Sequence, residues 1–171
     1  MKKLLLLAAL LGLTLCGCAR WPDPAPEFTL QDVPVGVTLP KPYAMYLPQT
    51  ENLVEVARTG QNACWESADG SCSVVTAVTD ADRETALRQL TGFDPSRLYP
   101  VEDSCWGMPR WRFSWTTRTE EGTYLCQGQI LTDEHWCYCL AVSCREDADG
   151  FTRALCSQVM AGFGLYQEED A

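Results

Sequence analysis

Arg110-Trp-Arg-Phe-Ser-Trp-Thr-Thr-Arg-Thr119, Thr123-Tyr-Leu-Cys-Gln-Gly-Gln-Ile-Leu131 and His135-Trp-Cys-Tyr-Cys-Leu-Ala-Val-Ser-Cys144 are the stretches that decide the fold. Each alternates between two kinds of side chain and is rich in aromatic or β-branched residues, the period-2 signature of a strand. Glu121-Gly122 and Asp133-Glu134 supply turns between them, so the three runs read as an antiparallel meander. With two-residue turns, paired positions sum to 243 in the first hairpin and 267 in the second. One face then carries Trp111, Phe113, Trp115, Cys126, Gly128, Ile130, Cys137, Cys139 and Ala141, and reads as a core face. In this register Trp115 lies opposite Gly128, which lies opposite Cys139, and the missing side chain makes room for the indole. The other face carries Arg112, Ser114, Gln127, Gln129, Trp136, Tyr138, Leu140 and Val142 and is mixed in character.

Outward from the meander, Asp149 is placed to cap a helix over Gly150–Gly162, with Phe151, Leu155, Val159 and Phe163 at helical spacing. This helix is expected to cover the Trp/Phe face. Gly162 and Gly164 end it, and residues 167–171 form an acidic tail. Upstream, residues 93–109 contain three prolines and no clear period, and read as a long connection that needs a job or some internal packing. Before it, Asp80 is placed to cap a helix over Ala81–Leu90, with Ala86, Leu87 and Leu90 in an apolar stripe and Gly92 at its C-terminus. Leu53–Ala57, Asn62–Glu66 and Cys72–Val78 are further strands, the last two joined through Asp69-Gly70. Phe28–Pro40 alternates but is broken by Pro34 and Gly36, as an edge strand or two short strands would be.

The N-terminal segment has a different logic. Met1-Lys2-Lys3 is a charged start and Leu4–Leu15 is an apolar run shorter than the ~20 residues of a bilayer-spanning helix, so residues 1–17 read as a signal peptide. Its ending, Leu15-Cys16-Gly17-Cys18, resembles the bacterial lipobox, which implies that Cys18 is acylated and becomes the first residue of the mature chain; Leu15 is too large for Cys16 to take that role. Residues 18–27 follow as a tether, with three prolines between Arg20 and Glu27. The domain itself spans residues 28–166.

Removal of residues 1–17 leaves 154 of 171 residues and takes away Lys2 and Lys3, so 11 basic residues face 23 acidic ones and the formal charge is −12. Such a balance argues against nucleic acid and against electrostatic adhesion to anionic lipid, leaving the acyl chains on Cys18 as the link to the membrane. Cysteine usage fits the same compartment: Cys64, Cys72, Cys105, Cys126, Cys137, Cys139, Cys144 and Cys156 remain, an even count in an exported chain. Two to four disulfides are expected. Cys64 and Cys72 flank the Asp69-Gly70 hairpin and are the first pair to consider, although an ideal two-residue turn would put Cys64 opposite Val75.

The order of parts resembles the PsbP-like/DcrB-like group of small α/β/α proteins, through the strand closing in Val37-Thr-Leu-Pro40, the helix after Thr79-Asp80, and the terminal unit Trp136–Cys144 followed by a helix ending Ala161-Gly-Phe-Gly-Leu165. The resemblance implies an α+β fold, an antiparallel β-sheet with a mid-chain helix and a C-terminal helix packed on it, in an accessory or binding protein without catalytic residues.

Cys137-x-Cys139 with Cys126 and Cys144 has neither the Cys-x-x-Cys spacing of a redox motif nor a paired zinc knuckle, yet three of these thiols could approach a soft metal such as Cu(I) or zinc. Buried thiols or disulfides are the plainer reading. His135, between Asp133, Glu134 and Trp136, sits in a turn, and the adjacent acidic pairs Glu102-Asp103, Glu120-Glu121 and Glu146-Asp147 read as solvated surface. A serine or cysteine nucleophile would need a base beyond this one histidine, and no phosphate-cradling or dinucleotide motif is present. The mixed face is the ligand candidate: Arg112, Ser114, Gln129, Trp136 and Tyr138 combine rings, amides and a guanidinium able to hold a small ligand or partner segment. Alternatively helix 81–90 or the 93–109 connection covers it, which the apolar Leu125, Leu131, Leu140 and Val142 favour. The sequence thus points to a lipid-anchored, extracytoplasmic accessory or binding protein with no cofactor or metal. The second reading is a thiol-redox or metal-handling lipoprotein using Cys126, Cys137, Cys139 and Cys144.

Overall fold

The computed structural model describes residues 40–48 and 52–166. The signal segment, Cys18, the tether, the strand expected within 28–40 and the tail at 167–171 lie outside the described residues. Contacts divide the chain after Pro40, and everything described beyond it belongs to the second unit.

Among the described residues, nine strands form two antiparallel sheets. The larger follows the order β2 (Leu53–Thr59), β3 (Asn62–Ser67), β4 (Cys72–Thr79), β8 (Cys137–Arg145), β7 (Gly122–Thr132), β6 (Met108–Thr119) and β5 (Val101–Cys105). The meander β5–β8 is therefore laid down backwards, so that its last strand closes against β4. The smaller sheet pairs β1 (Ala44–Tyr46) with β9 (Gly164–Tyr166). Helix α1 (Arg83–Thr91) packs on one face of the large sheet and α3 (Gly150–Gly162) on the other, with the short α2 (Pro95–Leu98) between β4 and β5. This is the α+β sandwich expected, with no described helix long and apolar enough to cross a membrane.

The local signals act where their chemistry is strongest. Asp149 Oδ1 accepts from Thr152 N at 2.7 Å and caps α3. The cap of α1 is Asp82, not Asp80: Ala81 N donates to Thr79 Oγ1, which turns the chain once more before Asp82 Oδ1 takes Thr85 N at 2.9 Å. Gly92 ends α1 in the left-handed region, φ 75°. The 93–109 stretch is not an open connection. Asp94 caps α2 with Pro95 at its first turn, and β5 then pairs with the start of β6 through a tight Trp106-Gly107 turn.

Both hairpin registers differ from expectation by one rung. Observed partners sum to 241 between β6 and β7, as in Thr119↔Gly122, and to 269 between β7 and β8, as in Thr132↔Cys137. Gly122 is the first paired residue of β7, so the first turn is Glu120-Glu121. In the second, Asp133 spans residues 133–136 by accepting from His135 N and Trp136 N, each at 2.7 Å. Because each register moves by two, every side chain keeps its expected face but gains a different neighbour. Trp115 stands beside Cys126, and Gly128 lies between Phe113 and Ala141. A Cβ at Gly128 would come within 2.5 Å of the Phe113 ring, so the room that glycine makes belongs to Phe113. Trp115 stacks on that ring at 5.8 Å and is only half-buried.

The helices are exchanged relative to expectation. The Trp/Phe face is covered by α1, whose Ala86 and Leu87 pack with Phe113, Ile130, Cys137 and Cys139. The mixed face is covered by α3, whose Leu155, Cys156 and Val159 pack with Val74, Leu131, Tyr138, Leu140 and Val142. The reason is β4. Docked on β8, it sets Val74 beside Val142 and Val78 beside Tyr138, and β3 adds Trp65, so a face that looked mixed over three strands is broadly apolar over five. Burial of a leucine- or valine-sized side chain contributes about 1.5–3 kcal/mol, and that face offers α3 most of them.

Candidate functional site

The proposed ligand face divides. Tyr138 is wholly buried, its hydroxyl donating to Asp133 Oδ2 at 2.7 Å and accepting from Tyr43 N at 3.0 Å. Gln129 is buried as well, and its Nε2 donates to Met160 O at 2.9 Å, so the amide is spent on the last turn of α3. Trp136 packs at the margin of the same core. Only Arg112 and Ser114 stay exposed, near the β5 edge, where Arg112 pairs with Asp103 at 2.8 Å. The two-residue turns would align Arg112 through Leu131 with Trp136 and Ser114 through Gln129 with Tyr138; the observed rows are Arg112–Gln129–Leu140 and Ser114–Gln127–Val142. These five residues are therefore the sheet side of a helix interface with a polar rim, not an open patch.

Asp133 binds this corner together. Burial opposes its charge, but hydrogen bonds from Tyr138, His135 N and Trp136 N outweigh it and hold the carboxyl below the usual aspartate range. Burial and the same carboxylate push the Tyr138 hydroxyl up, so it stays a donor. His135 itself is an exposed turn residue, contributing its backbone to that network.

All eight described cysteines are free thiols in the structure, and the faces sort them. Cys64, Cys126, Cys137 and Cys139 share the α1 face on separate rows of the ladder: Cys126 pairs with Ser143, Cys139 with Ile130 and Cys137 with Thr132, so Cys126 stands four and six residues along β7 from the other two rows, roughly 13 and 20 Å. Cys144 points to the α3 face, beside Cys72. The cluster expected from Cys126, Cys137, Cys139 and Cys144 is thus dispersed, and no group of three or more ligating residues suited to a metal occurs among the described residues. Burial raises Cys64 and Cys137 to about 11 and raises Cys126 and Cys139 as well, which keeps these sulfurs protonated and poorly nucleophilic. A Cys64–Cys72 bridge is excluded in this geometry. Cys64 pairs with Val75, three residues further along β4 and on the opposite face from Cys72.

Two groupings were not legible in the sequence. The first is aromatic. Met45 and Leu165 of the β1–β9 ribbon turn into the α3 core, which leaves Tyr46 and Tyr166 outward on the other side, 51% and 49% exposed. Trp106, at the β5–β6 turn, is 62% exposed beside Tyr46: a methyl placed at Gly164 would stand 3.5 Å from its ring and 3.9 Å from Tyr46. The second is a shallow depression where Glu121, Gly122 and Thr123 meet Arg145, Glu146 and Asp147, with Arg145 Nε paired to Asp147. Among the other acids, Asp82 and Asp149 cap helices, Glu55, Glu102 and Asp103 pair with arginines, and Asp69 holds a turn. Asp69 accepts from Ser67 Oγ and from Ser71 N and Oγ, and is held at about 2.

No family model and no curated protein matches the chain. Among solved structures it is similar to the cyanobacterial PsbP protein, CyanoP, of Synechocystis, with TM-score 0.52 and 9% identity over 72% of this chain and 87% of that one. It is similar also to a protein of Bacteroides thetaiotaomicron, with TM-score 0.50 and 6% identity over 73% of this chain, which spans 46% of the other. LpqN, involved in cell envelope biogenesis of Mycobacterium tuberculosis, aligns at TM-score 0.47 and 10% identity, over 71% and 82% of the two chains. The fold is PsbP-like.

Proposed function

We propose that this protein is a non-catalytic accessory or binding module, held on the outer side of a bacterial membrane by an acylated Cys18 and engaging a protein or small ligand rather than nucleic acid. The observation that carries the reading is the exposed aromatic set Tyr46, Trp106 and Tyr166. Tryptophan is mostly buried in folded chains, and neighbouring aromatic rings left at a surface are the composition of a contact site. Two further features support it: α1 and α3 fill both faces of the sheet, and the acidic groups Asp82, Asp94, Asp133 and Asp149 are engaged in caps and a turn. No cofactor is required by this reading, and the acidic balance sets it apart from a nucleic-acid binder.

Two measurements test it. A photo-crosslinking residue at position 106, compared in intact bacteria with one at exposed Val54, should give discrete adducts from 106 alone; equal labelling from both positions, or none from either, removes the aromatic surface as the contact site. Fatty-acid labelling should mark the wild-type chain and be lost in Cys18→Ala. Label persisting in that variant defeats the anchoring.

A further inference from the structure

Beneath α3, three sulfurs meet. Cys72 on β4 and Cys144 on β8 are direct partners in the ladder, and Cys156 descends on them from the helix. Cys72 Sγ and Cys156 Sγ are 3.1 Å apart, and the three residues are 1%, 9% and 8% exposed. We propose that Cys72 and Cys156 form a disulfide that fastens α3 to β4, with Cys144 as a bystander thiol. The proposal rests on the extracytoplasmic placement proposed above, since a bridge of this kind persists in an oxidising compartment.

A disulfide needs sulfurs at about 2.05 Å, roughly one ångström nearer than these stand, a distance that small side-chain rotations can close. The pair is also the most consequential one in reach. It is separated by 84 residues and would enclose α1, α2 and all of β5–β8, so it restrains the unfolded chain strongly, whereas a Cys72–Cys144 link would join two strands the ladder already holds. The step balances with an external disulfide as oxidant. One thiolate attacks it and forms a mixed disulfide, releasing one reduced thiol; the second cysteine then displaces the other half, so two protons and two electrons leave the protein and the oxidant ends as two thiols. Because the sulfurs are buried in the docked state, exchange belongs to the stage before α3 settles. Cys144 then stays quiet: burial pushes it up to about 11, and contact with Cys72 and burial raise Cys156 further, which favours thiol or disulfide over the thiolates a metal would need.

The test is disulfide mapping of the full chain. Protein from producing bacteria is alkylated at lysis and digested without reductant; in parallel, reduced protein is refolded in a glutathione redox buffer. A peptide pair joining Cys72 to Cys156, 2 Da lighter than the reduced pair, is expected in both, with Cys144 alkylated after denaturation and the link retained in Cys144→Ser. The oxidised form should melt at a higher temperature than the reduced form of the same wild-type sample. Refolded protein without this link, or with Cys144 taking the place of either partner, overturns the proposal whatever the compartment. A link formed in the buffer but absent from the cellular protein upholds the pairing and instead defeats the extracytoplasmic placement.

Discussion

Toward α3, strands β4 and β8 present Val74, Val142, Leu140 and Tyr138; toward α1, the same two strands present Val75, Ala77, Ala141 and Cys139. The difference in side-chain size explains the difference in cover. The large-residue face takes a 13-residue helix plus the inner side of the β1–β9 ribbon, whereas the small-residue face is closed by a helix of nine residues. Sulfur follows the same division. On the α1 face the cysteines are small apolar spacers along separate rows, while on the α3 face three of them converge beneath Cys156, midway along the helix.

The strongest way to break this comparison is to empty the larger face. Tyr138→Ala should cost about 3–5 kcal/mol, the range for a buried aromatic, and it also takes the partner from Asp133 Oδ2 and from the Tyr43 N–H. Leu87→Ala, at the centre of the smaller face, should cost less, about 2–4 kcal/mol, because α1 is short and can settle toward the gap. Urea unfolding of both variants decides between them. A larger loss at Leu87 would mean that α1, not α3, carries the principal core.

Contact within the smaller face gives the next effect. Gly128→Ala should destabilise by about 1–3 kcal/mol through overpacking against Phe113. Phe113→Leu in the same chain should recover part of that loss, and Trp115→Leu should recover none, since Trp115 pairs with Cys126. Relief by Trp115→Leu would restore the register expected from two-residue turns at Glu121-Gly122 and Asp133-Glu134.

That register shows how far the sequence could be read. Period-2 alternation identified the meander and sorted every side chain to its correct face, because a shift of two preserves parity. It could not choose the rung, because that depends on where the turn closes, and Asp133 closes its turn with backbone bonds that composition does not display. Edge strand β5 was hidden for a related reason: five residues, Val101 to Cys105, containing Glu102, Asp103 and Ser104 have little apolar alternation, and only pairing with β6 makes them a strand. The helix exchange is not visible in the three meander strands alone, because Val74, Val78 and Trp65, which make the α3 face the more apolar one, come from β3 and β4. Of the candidate site, Leu131, Leu140 and Val142 favoured a covered face for Gln129 and Tyr138, but not α3 as the element that covers it. The Tyr46–Trp106–Tyr166 surface and the Cys72–Cys144–Cys156 meeting join residues far apart in the chain, and no local spacing announces either.

The smallest effect expected is a pH dependence at the rim of the larger face. Asp133 is held below its ordinary value in the folded protein, chiefly by three hydrogen bonds acting against burial, so its contribution to stability is fully present above the unfolded value near ~3.9 and is lost as pH falls through the lower folded value. Tyr138→Phe removes one of those bonds while keeping the ring. The folded carboxyl should then titrate nearer its unfolded value, and less stability should be lost on acidification. Other depressed carboxyls, among them Asp69, Asp82 and Asp149, act in both proteins and cancel in the comparison. Urea midpoints measured for wild type and Tyr138→Phe at pH 7, 4 and 3 should therefore converge toward acid. If the gap stays constant with pH, the hydroxyl is packing the corner without stabilising the charge of Asp133, and the polar lock beneath α3 is assigned to the wrong bond.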